Sequence, residues 1–209
     1  MSFERLASQA ERYYSEKFAD HGATARGVDW NSEQSQELRF EQLLKIVDRP
    51  ADPFSVLDYG CGYGALADFI LARDLPATYV GFDLSLPMID HATAHHQRGA
   101  RFTADESELR PADYAVASGL MNVKQSEPED AWRDYCFEVI GRLSSLSGRG
   151  FAFNMLTSYS DPERKRPDLY YADPLFFFDY CKRHQSRHVA LLHDYGLYEF
   201  TLLVRKEPL

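Results

Sequence analysis

One stretch constrains this chain more than any other: Val56-Leu57-Asp58-Tyr59-Gly60-Cys61-Gly62-Tyr63-Gly64. An apolar run ends in a carboxylate, and glycines then fall at alternate positions. Glycine is required where the backbone takes positive φ or where a ligand approaches it closely. A strand, a glycine turn and a helix in succession form the context in which a nucleotide-type cofactor binds. The dinucleotide fingerprint GxGxxG seats a pyrophosphate on the helix N-terminus. Here the spacing is GxGxG, and Asp58 stands two residues ahead of it. A carboxylate there repels a pyrophosphate and attracts a cation, such as the amino group of a methionine moiety. The sign of the charge therefore favours an amino-acid-bearing cofactor over a dinucleotide.

The rest of the chain supplies the frame for that turn. Phe3 to Phe18 reads as a helix with Phe3, Leu6, Ala10 and Tyr14 loosely on one face. A loop, His21 to Trp30, precedes a second helix that Asn31 or Ser32 caps, with Gln34, three residues after Asn31, as the box partner of Asn31. Pro50 and Pro53 stop it. Strands are expected at Phe54 to Tyr59, Thr78 to Asp83, Ala100 to Thr103, Tyr114 to Ser118 and Gly150 to Leu156. Helices fall between them at about Ala65 to Arg73, Pro87 to Gln97, Glu129 to Leu146 and Pro174 to His184. Such alternation means βαβ units and a parallel sheet. The closing strands, Val189 to Leu192 and Tyr198 to Arg205, lie too close for a crossover helix, so they pair antiparallel or leave the sheet. The expected fold class is α/β: a Rossmann-like, seven-stranded, mostly parallel sheet with an antiparallel C-terminal hairpin and helices on both faces. Residues 1–209 are expected to form a single domain, in which 1–50 is a helical cap and 54–206 the core.

Further acids fall at expected strand ends, where open α/β sheets bind ligands. Asp83, in Val80-Gly81-Phe82-Asp83-Leu84-Ser85, lies about 20 residues past the glycine turn, the position of a ribose-binding acid. Asp105 and Glu106 follow the third strand, and Asp105 is placed to accept from an adenine amino group.

Composition excludes several classes. Lys and Arg number 23 against 32 Asp and Glu, a formal charge of −9. Phosphate-backbone binding draws its affinity from Lys and Arg, so nucleic acid is not an expected partner. Arg164-Lys165-Arg166 is the densest basic run, and with Asp161 and Glu163 beside it it reads as a solvated loop, contact with an anionic substrate group being the alternative. Cys61, Cys136 and Cys181 are odd in number and form no CxxC, which argues against a disulfide framework or zinc ribbon and fits reduced thiols in the cytoplasm. No signal peptide and no membrane span is expected. No metal is expected either. His91 and His95 are one helical turn apart, but the glutamate of HExxH is missing, so they read as a solvated face.

Taken in order and spacing, these motifs resemble those of the class I S-adenosylmethionine (SAM)-dependent methyltransferase family. VLDYGCGYG is similar to its first motif, GFDLS to its ribose-binding motif and TADES to its adenine-binding segment. Asp113 to Gly119 is similar to the fourth strand, whose end lies beside the methionine part of SAM. The resemblance spans residues 54–206 and implies SAM as cofactor. It implies a binding set of Asp58, Gly60, Cys61, Gly62 and Gly64 in the turn, and Asp83, Leu84, Ser85 and Met88 after the second strand. Asp105, Glu106, Ser118 and Gly119 complete it. It also suggests that Gly27 to Trp30 closes over the cofactor. Beyond the fourth strand the sequence reads Ser118-Gly119-Leu120-Met121-Asn122-Val123 rather than the Asn-Pro-Pro-Tyr of many DNA amino-methyltransferases, a second argument against base acceptors.

The expected reaction is direct displacement of the methyl group onto an O or N atom of a small-molecule acceptor, glycan precursors included. His193, at a strand end near the expected cleft mouth, and His21, on the N-terminal loop, are the candidate general bases. Trp30, Asn122, Tyr159 and Tyr171 are candidate acceptor contacts. Tyr170 also falls on a loop, whereas Trp132 and Phe176-Phe177-Phe178 sit at helical spacing and read as core. Cys61 reads as a small residue fitting a tight turn rather than as a nucleophile. Two rival classes stay open at this level: an NAD-dependent oxidoreductase, which wants GxGxxG and no acid at position 58, and a non-catalytic SAM-binding protein.

Overall fold

The structure is a computed structural model that describes residues 3–30, 32–96 and 99–206. Asn31, one of the two expected caps, and Gln97, the expected end of a helix, lie outside the described residues.

Helix α1 spans Phe3–His21, and a 3₁₀ turn at Ala25–Val28 leads to α2, Glu33–Leu44. The body then alternates: β1 Phe54–Tyr59, α3 Ala65–Ala72, β2 Ala77–Phe82, α4 Leu86–His95, β3 Ala100–Thr103, β4 Ala112–Ala117. It closes with α5 Glu129–Ser145, β5 Ser147–Leu156, α6 Pro174–His184, β6 His188–Leu192 and β7 Glu199–Arg205. The strands form one seven-stranded sheet in the order β3-β2-β1-β4-β5-β7-β6. β1 pairs in parallel with β2 and β4, whereas β7 runs antiparallel between β5 and β6. The chain therefore reverses its direction of winding between β1 and β4. The carboxyl ends of these strands open a crevice there, the place where open α/β sheets bind ligands.

Both faces of the sheet are covered, and the residue alternation shows why. Along β1, Val56 packs in one apolar layer while Leu57 and Tyr59 pack in the other. Along β5, Phe151, Phe153 and Met155 face the layer that holds α1, α5 and α6, and Ala152 faces the layer of α2 and α3. Successive strand side chains point to opposite faces, so a strand apolar at every position needs helices on both sides. Phe151 and Phe153 are fully buried, and each contributes about 1.5–3 kcal/mol by burial.

Local chemistry sets the helix starts. Ser32 accepts from the Ser35 N–H at 3.2 Å, which begins α2; the expected box of Asn31 with Gln34 falls outside the described residues. Asp173 accepts from the N–H groups of Leu175 and Phe176, and Pro174 follows it at the start of α6. On α6 only Phe177 of the phenylalanine run is fully buried; Phe176 is 45% exposed. Consecutive helical residues point about 100° apart, so three in a row cannot share one buried face. Tyr170, expected on an open loop, is buried in the core beside Phe177.

Candidate active site

The glycine turn lies at the end of β1. Gly60, Gly62 and Gly64 have φ of +86°, +55° and +91°, a region L side chains rarely adopt. At Gly64 a Cβ would also meet His96 Nε2 at 2.8 Å, so the turn is closed to larger residues from behind. Asp58, the penultimate residue of β1, lies just ahead of it and is 3% exposed. Its Oδ2 accepts from the Tyr79 hydroxyl at 2.7 Å, while its buried Oδ1 has no partner. Burial raises the Asp58 pKa to about 7, opposed by the Tyr79 hydrogen bond and assisted by the negative charge of Asp83. A carboxylate oxygen held dry and unpaired at a cavity wall is a site for a cation. Cys61 lines the same cavity, but burial holds its thiol well above the usual range, so it is not an activated nucleophile. Met88 and Ser118 complete this part of the wall, and the Ser118 hydroxyl is likewise buried without a partner.

Asp83 follows β2. The Gly62 and Ser85 N–H groups each donate to one of its oxygens at 2.9 Å. The carboxylate thus ties the glycine turn to the start of α4, although burial still raises its pKa. Ser85 is fully buried, and its hydroxyl meets that of Ser15 on α1, so it braces α4 instead of facing a cavity. Beyond Asp83 opens a cavity of about 210 Å³, walled by Phe82, Leu84, Leu120, Tyr135 and, from α1, Ala7 and Tyr14. Glu106 lies on its rim, accepting from Tyr59 and from Arg142. The adjacent Asp105 turns away: its side chain caps a short 3₁₀ turn by accepting from the Ser107 N–H and hydroxyl. Of the acidic pair, therefore, the structure brings Glu106 to the cavity and leaves Asp105 outside it.

The segment before α2 forms the roof. Thr24 caps the 3₁₀ turn, and Asp29 takes a left-handed conformation at its end. Tyr13 donates to Asp29 at 2.8 Å and fastens this segment to α1. The Trp30 ring then lies against Gly119, where a Cβ would meet two of its carbons at 2.3 Å. The Arg39 guanidinium also stacks on this ring, 3.8 Å from its centroid. Arg39 is itself buried in a bidentate pair with Glu199, at 2.6 to 2.9 Å. Gly119 donates to Asn154 Oδ1 at 2.7 Å, which fixes the backbone beneath the ring.

A third cavity, of about 500 Å³, adjoins the glycine-turn cavity, and Tyr14, Val28 and Trp30 wall both. Asn122 and Tyr171 line it, together with Arg39, Arg166 and Tyr198. The Leu156 N–H donates to Asn122 Oδ1 at 3.0 Å, while the buried Asn122 Nδ2 has no partner. Tyr159, by contrast, is 67% exposed and packs beside His193 outside the cavity wall.

The two histidines expected as bases are not brought to the cleft. His193 follows β6, the outermost strand, and contacts Tyr159 and Phe200 instead. His21 ends α1 on an exposed surface with Asp20 and Thr24. The sequence reading overlooked Tyr14, Arg39 and Glu199. Tyr14 donates to the Gly119 carbonyl at 3.4 Å and walls the cavities just described. Glu199 left one visible signal, a charge at the head of an apolar closing strand.

Fold and site together define an α/β protein of the cofactor-binding enzyme class, whose crevice joins a cavity walled by a buried carboxylate to a larger one. A family profile described as a methyltransferase domain matches residues 13–191, and the chain belongs to the class I SAM-dependent methyltransferases. A Mycobacterium tuberculosis protein named as a methyltransferase, Rv1506c, is 50% identical over 165 residues, covering 78% of this chain and 99% of that protein. The malonyl-[acyl-carrier protein] O-methyltransferase of Pseudescherichia vulneris is 30% identical over 150 residues, 69% of this chain and 55% of its own. Among solved structures, the Burkholderia thailandensis 1,6-didemethyltoxoflavin-N1-methyltransferase, with 1,6-didemethyltoxoflavin and S-adenosylhomocysteine bound, superposes with a TM-score of 0.68. It shares 20% identity and the match covers 100% of this chain and 92% of that one, a likeness of fold. Among the described residues no helix is long and apolar enough to cross a membrane.

Proposed function

We propose that the protein transfers a methyl group from SAM to an O or N atom of a small-molecule acceptor held in the cavity walled by Asn122, Tyr171 and Trp30. One observation carries the reading: the unpaired, buried Oδ1 of Asp58 lies on the glycine-turn cavity, which adjoins the larger one across Trp30. A dinucleotide would set a pyrophosphate against that oxygen, so the oxidoreductase alternative loses its electrostatic basis. The residues present fit SAM. Asp58 would hold its amine, with Gly60, Gly62, Ser118 and Gly119 around the methionine part. Asp83 would hold the ribose, while Leu84 and Glu106 would flank the adenine; Cys61, Gly64 and Met88 shape the wall.

SAM, when bound, supplies a methyl group made reactive by its sulfonium. The chain's own residues need only align the acceptor and exclude water, and such alignment is worth about 7–11 kcal/mol of a displacement barrier. Trp30 and Tyr14 are placed to do both, since each walls the donor and acceptor cavities. Among the described residues that line the acceptor cavity none is a histidine, and Asp29 and Glu199 are paired to arginines. An acceptor that is already nucleophilic, an amine or a phenolate, therefore suits it better than an alcohol needing a strong base. The relatives' names include both an O- and an N-methyltransferase, which supports either acceptor atom. We assign residues 1–50 the role of a cap, because Tyr14 and Trp30 come from them.

The test is formation of S-adenosylhomocysteine by the purified protein across a panel of small amines, phenols, carboxylates and sugar precursors. Acceptor-dependent turnover is expected. Binding of SAM with no turnover across broad panels would favour the non-catalytic alternative, and binding of NADH in its place would remove the proposal.

A further inference from the structure

On the outer side of the glycine turn, away from the cleft, Asp68, His95 and His96 converge. One ligand atom from each lies within 4.8 Å of the other two. Asp68 projects from the first turn of α3, His95 from the last turn of α4, and His96 caps α4. Asp68 Oδ1 stands 3.9 Å from His95 Nε2 and 3.4 Å from His96 Nδ1. Donor atoms about 2.0–2.2 Å from a shared tetrahedral zinc ion are roughly 3.4 Å apart, so small rotations of the exposed side chains close the triangle.

The arrangement is more than a surface ion pair. Two imidazoles meet the same carboxylate oxygen, and the described residues show no hydrogen bond among the three. The anchor is rigid: the His96 side chain is 7% exposed, packed on Phe102 at 5.2 Å and against Gly64. Asp68 and His95 are 51% and 60% exposed, leaving an open side for an ion to enter and for water to complete the shell. Two imidazole nitrogens and one carboxylate oxygen suit zinc and its neighbours, whereas magnesium and calcium take oxygen ligands. Sequence alone implies no metal and reads His91 and His95 as a solvated face; the carboxylate that joins His95 and His96 comes from a different helix, α3.

We propose that Asp68, His95 and His96 form a binding site for a divalent transition-metal ion of the zinc class, with water in the remaining position. A bound ion cross-links the start of α3 to the end of α4, the two helices that flank the glycine turn.

The test uses tag-free protein titrated with zinc chloride by calorimetry and with cobalt chloride by visible absorption. Saturable binding of one equivalent is expected, with visible absorption bands from the bound cobalt and a zinc-dependent rise in melting temperature. His95→Ala and Asp68→Asn, both at exposed positions, should each weaken binding at least tenfold and abolish the rise. His193→Ala, at an exposed histidine far along the sheet, should leave both unchanged. Absence of saturable binding, or wild-type affinity in His95→Ala and Asp68→Asn, overturns the proposal.

Discussion

Replacing Asp58 by asparagine should make the ligand-free protein more stable at alkaline pH while removing its hold on the cofactor. The carboxyl is fully buried, and its pKa rises from 3.8 to about 7, chiefly by desolvation. A pKa raised on folding stabilises the fold only where the group is protonated in both states. That contribution is complete below about pH 4 and is lost as pH rises to about 7. The shift spans about three pH units at about 1.4 kcal/mol each, so an ionised Asp58 costs roughly 4 kcal/mol at pH 8. Asparagine removes the charge and can still accept from Tyr79. Its amide N–H₂, left where Oδ1 is unpaired, takes back about 1–3 kcal/mol. A net gain of roughly 1–3 kcal/mol is expected at pH 8, shrinking or reversing at pH 4. Urea unfolding of both proteins at several pH values measures the difference directly. A variant less stable than wild type at pH 8, or a difference that does not change with pH, would refute the desolvation argument.

Three further outcomes follow from the same geometry. Asp83→Ala should weaken S-adenosylhomocysteine binding at least tenfold, about 1.4 kcal/mol by calorimetry; unchanged affinity would remove the ribose assignment. Glu199→Gln leaves the buried Arg39 charge uncompensated and should cost on the order of 3 kcal/mol in urea unfolding, since Arg39 Nη1 already lacks a partner. Gly119→Ala puts a Cβ 2.3 Å from the Trp30 ring at φ +72°. It should lose about 1–3 kcal/mol of stability and shift tryptophan emission to the red as Trp30 leaves its seat, Trp132 being buried elsewhere.

Sequence showed those features whose physics is local. The glycine spacing, the apolar strands and Asp173 before Pro174 each act within a few residues, and β1, β3 and α6 begin and end where their patterns do. β5 starts earlier than expected, at Ser147 instead of Gly150, because Ser147 pairs with Ala112 across a bulge. No local pattern records that pairing. The acidic pair after β3 shows a finer limit: a side chain that can cap a turn does so, and Asp105 is thereby withdrawn. His193 failed as a cleft residue because it follows the edge strand, remote from the reversal between β1 and β4. That strand order depends on the whole sheet. Likewise Arg39 and Glu199, far apart in sequence, form a pair that only the assembled sheet brings together beside Trp30.

The most direct test of the central claim compares S-adenosylhomocysteine with methylthioadenosine, which keeps the nucleoside but lacks the amino-acid head. Both are titrated into wild type and Asp58→Asn at pH 8. Wild type should bind the amino-acid-bearing ligand far more tightly, and the variant should narrow that preference at least tenfold, with methylthioadenosine affinity little changed. An equal preference in both proteins would show that the buried carboxylate does not read the ammonium group, and the account of the glycine turn would fail.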